Sequence, residues 1–557
     1  MGRKSQEGGG RWGSSVDIGH FLFVALLFSM ILISNSTSSS NSSRSKIKTQ
    51  DYFPCSKRNF TSGDSFVCQC NSTYCDTIEG FLPLVPDRFT YYTSSKSSDR
   101  LTKRTAPISS KSNASESTVI LTVNTSSLYQ TVLGFGGAVT DSMALSVKNL
   151  SEASQNKLIR SYYSADGLEY TLSRINIGTC DFSQRPYSLC ESENDFELAN
   201  FSLADEDINY KIPVLQAAMK ASVRPLKFFC TQWSPPKWMK TSGTYRYRGQ
   251  VIGEPGGKYY KTLALYLAKF IEGYAKHNVS MWGMTVQNEP WAGAIKDQPN
   301  ACNYMTPQIE RDFVKLDLGP TLEERGLGNV SIMMLDDQRF ELPDWPVVVL
   351  GDSEAEKYVK GIAVHWYWDK QSPTLKLDLT NNLFPSKFIL YTEACQGTSE
   401  TPGVKVSLGS WEQGEGYTQN IIQNMNHWVT GWVDWNMALN IQGGPSWIAH
   451  KLNAPVIVDA EYDVFYKQPM YYHLGHFSKF VHPDSVRVEL EIDQNEEQKL
   501  DAISFLRPDG LVVLVAINVQ EDPIPITINH NATGFLNSIV PARSIQTYLW
   551  KPAHSLH

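Results

Sequence analysis

Two short carboxylate motifs suggest the chemistry of this chain. Asn288-Glu289-Pro290 and Thr392-Glu393-Ala394 each close an apolar, β-branched run, and the two glutamates lie 104 residues apart. Since a βα unit of a (β/α)8 barrel takes about 30 to 35 residues, three units would separate the motifs and place them after strands four and seven. Two carboxyl groups about 5 to 5.5 Å apart across a barrel mouth are what a retaining glycosidase needs. The spacing therefore predicts an enzyme that acts on sugars.

Either motif alone is a weak signal. Asn and Pro are common turn residues, so an isolated Asn-Glu-Pro favours a structural turn. The pair gains weight because residues 282–286 and 388–392 both have the pattern of buried parallel strands, and acids are costly to bury at strand ends. Together the motifs favour catalysis.

The elements that must position these glutamates alternate between strands and helices from residue 131 onward. Residues 261–276 place apolar side chains three and four positions apart, which predicts an amphipathic helix. This alternation predicts a parallel (β/α)8 barrel. Its candidate strands are 134–138, 170–177, 225–230, 281–286, 331–335, 362–366, 388–392 and 431–435.

Past residue 480 the hydrophobic period drops to two, over residues 486–492, 502–506, 511–517, 524–528 and 544–550. Asp509-Gly510 is a strong hairpin signal between two of these runs. The pattern predicts an antiparallel β-sandwich, with the barrel inserted into it and strands before residue 130 completing it. We expect residues 92–117, which are rich in Ser, Lys and Thr, to form a flexible surface connection.

This organisation predicts four parts. They are a leader (1–40), a cysteine-rich β region (50–82, completed by about 437–468), the sandwich (83–129 with 483–557) and the barrel (130–436 with 469–482).

Composition narrows the class of protein. The chain has 557 residues, of which 41% are hydrophobic and 19% charged, so it can bury a large core. The net charge of −7 and the lack of basic stripes in the sequence argue against nucleic-acid binding.

The N-terminus indicates secretion. Arg3, Lys4 and Arg11 precede an apolar run over residues 21–33, which suits a cleaved signal peptide and is too short to span a bilayer. An uncleaved signal anchor is the alternative. Passage through the secretory pathway also agrees with N-glycosylation motifs at Asn59, Asn71, Asn113, Asn124, Asn149, Asn200, Asn278, Asn329 and Asn531.

The cysteines form two groups. Cys55, Cys68, Cys70 and Cys75 lack zinc-ribbon spacing, and we predict the disulfides Cys55–Cys68 and Cys70–Cys75. The remaining five are an odd number, so at least one is a thiol; Cys190 and Cys230 could pair with each other. The five are Cys180, Cys190, Cys230, Cys302 and Cys395.

Polar and aromatic side chains gather at the ends of the predicted strands, where barrel enzymes place their chemistry. Any one of the aromatics could equally belong to the core. Their coincidence with strand ends favours a sugar pocket. The segments concerned are Arg174, Asp181-Phe182, 233–238, His365-Trp366-Tyr367 and Asp434-Trp435-Asn436.

Motifs throughout the chain resemble those of the lysosomal glucosylceramidase family, also called acid β-glucosidases. The resemblance covers about residues 55–550 with near-constant spacing. It rests on Gly134-Phe-Gly-Gly-Ala138, Cys180-Asp-Phe-Ser183, Asn288-Glu-Pro290, Met334-Leu-Asp-Asp-Gln-Arg339, His365-Trp-Tyr367, Glu393-Ala-Cys395, Asp434-Trp-Asn436 and Tyr466-Lys-Gln-Pro469.

The resemblance implies hydrolysis of glucosylceramide at a lysosomal membrane surface with retention of configuration, and no metal or other cofactor. Glu289 matches the acid/base and Glu393 the nucleophile, while Arg174 and His365 match groups that orient and charge-tune the nucleophile. The implied partners are a saposin-type activator, anionic lipid and a trafficking receptor. Residues that match glucose-binding positions are Asp181, Trp233, Asn288, Tyr367 and Trp435.

Three residues depart from the family pattern. Gln298 and Asn300 replace aromatic residues at the pocket entrance, and His450 replaces an asparagine near the sugar, which leaves the aglycone preference open. Two other functions are compatible with the sequence: a secreted β-glycosidase that cuts xylosides or β-1,6-glucans, and a non-catalytic glycan-binding ectodomain. The presence of both glutamates disfavours the last.

Overall fold

The computed structural model of the chain describes residues 52–82, 84–85, 87–397, 406–530 and 533–552. The predicted leader over residues 1–40 and the glycosylation motif at Asn531 lie outside the described residues. Among the described residues, no helix has both the length and the apolar character needed to cross a bilayer.

Five strands precede the barrel: β1 (Lys57–Asn59), β2 (Phe66–Asn71), β3 (Arg88–Ser95), β4 (Thr102–Pro107) and β5 (Val119–Thr131). Disulfide bonds join Cys55 to Cys68 and Cys70 to Cys75, which are the predicted pairs. The expectation of a flexible connection over residues 92–117 was wrong for much of that range, because β4 pairs with β3 along the sheet edge. Edge strands tolerate the exposed polar and charged residues that made this segment resemble a linker.

Eight parallel strands close into a barrel in chain order, as the sequence predicted. The barrel strands are β6 (Gly134–Ala138), β7 (Leu172–Ile177), β8 (Lys227–Gln232), β9 (Met281–Thr285), β10 (Ser331–Gln338), β11 (Val359–His365), β12 (Phe388–Glu393) and β13 (Val429–Asn436). The helices between them are α1 (Asp141–Lys148), α2 (Glu152–Tyr163), α3 (Ile212–Ala221), α4 (Lys258–Ala275), α5 (Pro307–Phe313), α6 (Gly319–Glu324), α7 (Asp344–Leu350), α8 (Ser353–Glu356), α9 (Leu375–Leu383) and α10 (Trp411–Met425).

An apolar layer fills the barrel beneath the carboxyl ends of its strands. Since successive residues of a strand point to opposite faces, each strand sends alternate side chains inward. This buried cluster comprises Leu172, Phe229, Met333, Ala363, Leu390 and Val433. Arg174 lies two positions after Leu172 on β7 and therefore faces inward one layer higher, where the polar groups gather.

A small sheet and a helix follow the barrel. The elements are β14 (Ala438–Asn440), β15 (Val456–Asp459), β16 (Val464–Lys467) and α11 (Pro469–Ser478). β14, β15 and β16 join the N-terminal strands in the order β1-β2-β16-β15-β14. The strands of this sheet lie within the two predicted ranges, 50–82 and about 437–468.

The C-terminal strands are β17 (Val486–Asp493), β18 (Asp501–Leu506), β19 (Val512–Asn518), β20 (Ile524–His530), β21 (Gly534–Val540) and β22 (Ser544–Trp550). They join β3, β4 and β5 in the order β21-β20-β5-β17-β18-β19-β22-β3-β4 around one hydrophobic core. The fold class is confirmed: a β-sandwich with a (β/α)8 barrel inserted. One pair, β20 with β5, is parallel, unlike the all-antiparallel arrangement expected. Strand β21 was missed because most of its residues are partly exposed.

Candidate active site

The two predicted glutamates meet at the mouth of the barrel. Glu289 follows β9, the fourth barrel strand, and Glu393 is the last residue of β12, the seventh. One carboxylate oxygen of each lies within 4.8 Å of the other, and a nitrogen of His365 lies within the same distance of both. The two side chains therefore share one pocket.

Glu393 is held by direct contacts on both oxygens. Arg174 Nη1 donates to Oε2, and the Tyr367 hydroxyl donates to Oε1 at 2.7 Å. Only 8% of the Glu393 side chain is exposed. Burial raises the pKa of the Glu393 carboxyl, while the positive charges of His365 and Arg174 act in the opposite direction. The predicted link between Arg174 and Glu393 is thus a direct ion pair.

Glu289 is held differently, at its backbone and at one oxygen. Its backbone is left-handed (φ 39°, ψ 66°), and its N–H donates to the carbonyl of Asp336 at 2.9 Å. Its Oε1 lies 3.0 Å from His365 Nδ1 and accepts from Gln338 Nε2 at 3.0 Å. The Glu289 side chain is 25% exposed.

A nitrogen of His365 lies within 4.8 Å of a Glu393 oxygen, and the charge of its ring acts to lower the pKa of Glu393. The hydrogen bonds of the ring go to Glu289 and Asp336, at 3.0 and 3.1 Å. Although burial disfavours a charged imidazole, the carboxylates of Glu393 and Asp336 raise the pKa of His365 to about 10. The ring is therefore an imidazolium that donates from both nitrogens.

Asp336 is a residue that sequence reasoning did not single out. It is fully buried and accepts from Arg174 Nη2 and Thr285 Oγ1 at 2.7 Å, from Thr392 Oγ1 at 2.6 Å, and from His365 Nε2 at 3.1 Å. Despite burial, Arg174 and His365 hold the pKa of Asp336 well below its ordinary value. The sequence signals were a pair of adjacent acids at the end of the fifth barrel strand and their place in the family motif Met334-Leu-Asp-Asp-Gln-Arg339.

Its neighbour Asp337 has the opposite character. The carboxyl accepts from the backbone N–H of Trp291 at 3.3 Å. Burial and then the negative charge of Glu289 raise the pKa of Asp337 above its ordinary value. The Asp337 carboxyl therefore keeps its proton to higher pH than a free aspartic acid does.

Two tryptophans that were predicted to contact the sugar stack into a buried wall beside Arg174. The rings of Trp233 and Trp435 stack with centroids 5.0 Å apart at 26°. The Arg174 guanidinium lies over both, 4.8 Å from the first centroid and 5.3 Å from the second. Asn288 also contacts Arg174, since its Oδ1 accepts from Nη2 at 2.7 Å. Arg174 thus connects this wall to Glu393.

Asp181 lies beside the loop that follows β14. Its Oδ2 is 3.5 Å from Nδ1 of His450, whereas its Oδ1 is buried and has no hydrogen-bond partner among the described residues. Ser446 fixes both residues, because its hydroxyl donates to the Asp181 carbonyl at 2.6 Å and accepts from the His450 N–H at 3.2 Å. Asp181 thus has one oxygen near His450 and one without a partner among the described residues.

The comparisons with known proteins agree with this geometry. Residues 132–481 match the glycosyl hydrolase family 30 TIM-barrel domain, and residues 484–548 match the glycosyl hydrolase family 30 beta sandwich domain. The chain belongs to glycosyl hydrolase family 30. The lysosomal acid glucosylceramidase of Mus musculus is 42% identical over 499 residues, which cover 89% of this chain and 96% of the mouse protein. The predicted membership of the glucosylceramidase family is confirmed, and the chain is a glycoside hydrolase.

Two solved structures share the fold of this family 30 hydrolase. SrfJ from Salmonella typhimurium has a TM-score of 0.75 and 24% identity, and covers 83% of this chain and 99% of its own. The endo-beta1,6-glucanase BT3312 has a TM-score of 0.72 and 25% identity, and covers 84% and 100%. Both therefore align with most of this chain.

The five remaining cysteines of this hydrolase are buried thiols. The idea that Cys190 pairs with Cys230 was therefore wrong: Cys190 Sγ lies 3.5 Å from Asp195 Oδ2, and Cys230 lies on β8. Cys395 is close to the reacting groups, because its sulfur is 3.3 Å from the Tyr367 hydroxyl. Burial raises the pKa of the Cys395 thiol well above its ordinary value, so it remains protonated.

Two of the residues that depart from the family pattern lie on the loop after β9. The Asn300 N–H lies 3.4 Å from the Gln298 side-chain oxygen, a weak contact within the loop. Neither contacts Glu289 or Glu393 among the hydrogen bonds of the described residues.

Proposed function

We propose that this family 30 hydrolase is a retaining β-glucosidase that cleaves glucosylceramide to glucose and ceramide. The observation that supports retention is the approach of the Glu289 and Glu393 oxygens to within 4.8 Å. Carboxyl groups of inverting enzymes lie about 6.5 to 9.5 Å apart, because a water molecule must fit between one of them and the sugar.

The reaction proceeds in two displacements. In the first, a carboxylate oxygen of Glu393 forms a bond to the anomeric carbon while the bond to the leaving oxygen breaks, and Glu289 gives its proton to that oxygen. In the second, Glu289 takes a proton from water, whose oxygen attacks the anomeric carbon and releases Glu393 as a carboxylate.

The hydrogen bonds of Glu289 indicate which of its oxygens carries the proton. Oε1 accepts from Gln338 Nε2 and from the imidazolium of His365, so it has no need of a proton of its own. Oε2 is then the oxygen that exchanges a proton with the leaving group and with water.

The glucose would lie against the tryptophan wall. The apolar C–H face of a pyranose packs on aromatic rings, which suits Trp233 and Trp435. Arg174 occupies Oδ1 of Asn288, so the amide nitrogen is the group left to donate to the sugar 2-hydroxyl. The unpaired oxygen of Asp181 would accept from another hydroxyl. Tyr367 would hold Glu393 until the glycosyl ester forms and then turn to the sugar.

An apolar rim supports a lipid as the leaving group. Phe340 and Trp368 are 42% and 43% exposed and contact each other edge to face on the loops that follow β10 and β11. Tyr247, Trp291 and Ile295 add exposed apolar groups on the loops after β8 and β9. A ceramide chain leaving the pocket would meet this rim.

We propose that the protein acts in the lysosome, at the lumenal membrane surface, after removal of its leader; secretion is the alternative. The mouse relative, whose printed name is lysosomal acid glucosylceramidase, supports this location. Of the eight described asparagines in glycosylation motifs, seven are exposed and Asn71 is half-buried, which suits a glycoprotein. A saposin-type activator, anionic lipid and a trafficking receptor are the partners we propose.

The test is hydrolysis of glucosylceramide in anionic vesicles by the purified protein at acid pH, beside fluorogenic β-glucoside and β-xyloside and a β-1,6-glucan. We expect cleavage of glucosylceramide and of the β-glucoside, and none by Glu393→Gln. Preference for the xyloside or the glucan would favour the second candidate function, to which the likeness to a β-1,6-glucanase lends some weight. Binding without cleavage of any substrate would favour the glycan-binding ectodomain.

A further inference from the structure

Both glutamates depend on one short irregular segment, residues 335–338 at the end of β10. The β10–β11 register pairs Leu335 with Ala363 and Asp337 with Val364, so Asp336 is an extra residue that forms a bulge. Leu335 and Asp336 have positive φ values of 73° and 55°. Residues with a Cβ rarely adopt this region, so two in succession need support from their surroundings.

Residues of the bulge contact Glu289 directly and Glu393 through Arg174. The Asp336 carboxylate binds Arg174, which holds Glu393, and His365, which holds Glu289. The Asp336 carbonyl accepts the Glu289 N–H, and the Gln338 side chain donates to Glu289 Oε1. A shift of this segment would therefore displace both carboxylates together.

A buried carboxyl group on a helix behind the barrel accepts a hydrogen bond from the backbone of the bulge. Glu310 on α5 is 1% exposed, and its oxygens lie 3.1 and 3.4 Å from the backbone nitrogen of Leu335. The indole N–H of Trp345 on α7 donates to the same carboxylate. Both donors to the Glu310 carboxyl are uncharged. Burial of an acid without a cation beside it is unfavourable for the charged form. Burial accordingly raises the pKa of Glu310 to about 7.

We propose that Glu310 is a positioning residue, which holds the Leu335–Asp336 bulge and so aligns the two glutamates without touching substrate. Its action runs through one hydrogen bond, from the Leu335 N–H to the Glu310 carboxyl, and onward through Asp336. The charge of the carboxyl is not required, since an acceptor oxygen at the same place serves as well.

The inference rests on the proposed function, and its test uses three variants of the full chain. Glu310→Gln keeps an acceptor oxygen, Glu310→Leu removes it at similar volume, and Trp345→Phe removes the other donor to the same carboxyl. With a fluorogenic β-glucoside, we expect kcat of Glu310→Leu to fall about 100-fold with KM little changed, since small misplacements of reacting groups have effects of this size. We expect Glu310→Gln and Trp345→Phe to stay within about threefold of the unaltered protein.

A second measurement separates positioning from loss of folding. The imidazole pKa of His365, followed by NMR with ¹⁵N-histidine and assigned with His365→Asn, should fall in Glu310→Leu and stay unchanged in Glu310→Gln, because only the former loosens Asp336. Thermal unfolding reports whether each variant is folded. If Glu310→Leu does not fold, Glu310→Asp, whose carboxyl is one methylene short of Leu335, takes its place with the same expected fall.

The outcomes are distinct. A folded Glu310→Leu with full kcat and an unchanged His365 pKa overturns the inference, as does an equal loss in Glu310→Gln or in Trp345→Phe. If the unaltered protein cleaves no β-glucoside, the proposed function fails instead, and the His365 titration still decides the role of Glu310.

Discussion

Glu393 and Glu289 have the same side chain and face each other, yet the two sides of the pocket are built differently. On the Glu393 side, a guanidinium and a phenol each take one carboxylate oxygen of a residue that is almost fully buried at a strand end. On the Glu289 side, both donors converge on one oxygen of a residue past its strand, a quarter exposed. The first arrangement fixes an anion, and the second leaves one oxygen free to exchange a proton.

The difference teaches how one fold gives two identical side chains different roles. Burial favours the neutral form of Glu393, and the charges of His365 and Arg174 oppose it, together with the hydrogen bond from Tyr367. The same two cations are fixed by the buried Asp336, which contacts neither reacting oxygen. The two glutamates thus differ in character because the residues around them differ.

Removing the Glu393 carboxylate should have the largest effect. We expect Glu393→Ala to lose on the order of 10⁵-fold in kcat, because no other group can form the covalent ester. Azide fits the space that the side chain vacates, attacks from that side and should yield the α-glucosyl azide. NMR of the product identifies the anomer. A β-azide would contradict the assignment of Glu393 as nucleophile.

Removing the Glu289 carboxyl should have a smaller effect that depends on the leaving group. We expect a loss of about 10²- to 10⁴-fold with glucosylceramide, the usual range for a general acid–base group. A dinitrophenyl glucoside, whose leaving group needs no proton, should form its glycosyl ester at nearly the normal rate in Glu289→Ala. Azide should then attack the ester from the Glu289 side and give the β-glucosyl azide. If both alanine variants gave the same anomer, the two glutamates would not act from opposite faces of the sugar.

The sequence predicts the glutamates because each follows a long apolar run whose period identifies a buried strand, and the 104-residue spacing fits three βα units. It also predicts the tryptophans and Asp181 through their positions at strand ends and their match to family motifs. It does not predict Asp336, since Leu-Asp-Asp contains no glycine to mark a bulge with two positive φ values. The partners of His365 and the role of Glu310 depend on that bulge, so they could be found only in the structure.

The effect of Arg174 on the charge of Glu393 can be tested through the pH dependence of kcat/KM. Arg174→Gln removes a positive charge that lowers the pKa of Glu393, so this pKa should rise further above its ordinary value. A nucleophile acts only as the anion, and the acid limb of kcat/KM should therefore move to higher pH. We expect a loss on the order of 10²-fold at the original optimum, since the variant loses one preorganised electrostatic contact. An acid limb that stays in place or moves to lower pH would show that Arg174 does not control the charge of Glu393.

Removal of the Tyr367 hydroxyl, on the same side of the pocket, should cause the smallest shift of the acid limb of kcat/KM, again toward higher pH. Tyr367→Phe removes one hydrogen bond to the Glu393 carboxylate and leaves Arg174 in contact, so we expect about a tenfold loss, the usual effect of one hydrogen bond to a charged group. The acid limb should again move to higher pH, but by less than in Arg174→Gln. Cys395→Ala is the matched control, because the Cys395 sulfur contacts the Tyr367 hydroxyl and makes no hydrogen bond to Glu393 among those of the described residues. If the alanine control shifts the acid limb as far as Tyr367→Phe does, the phenol acts through local packing rather than through its bond to the carboxylate.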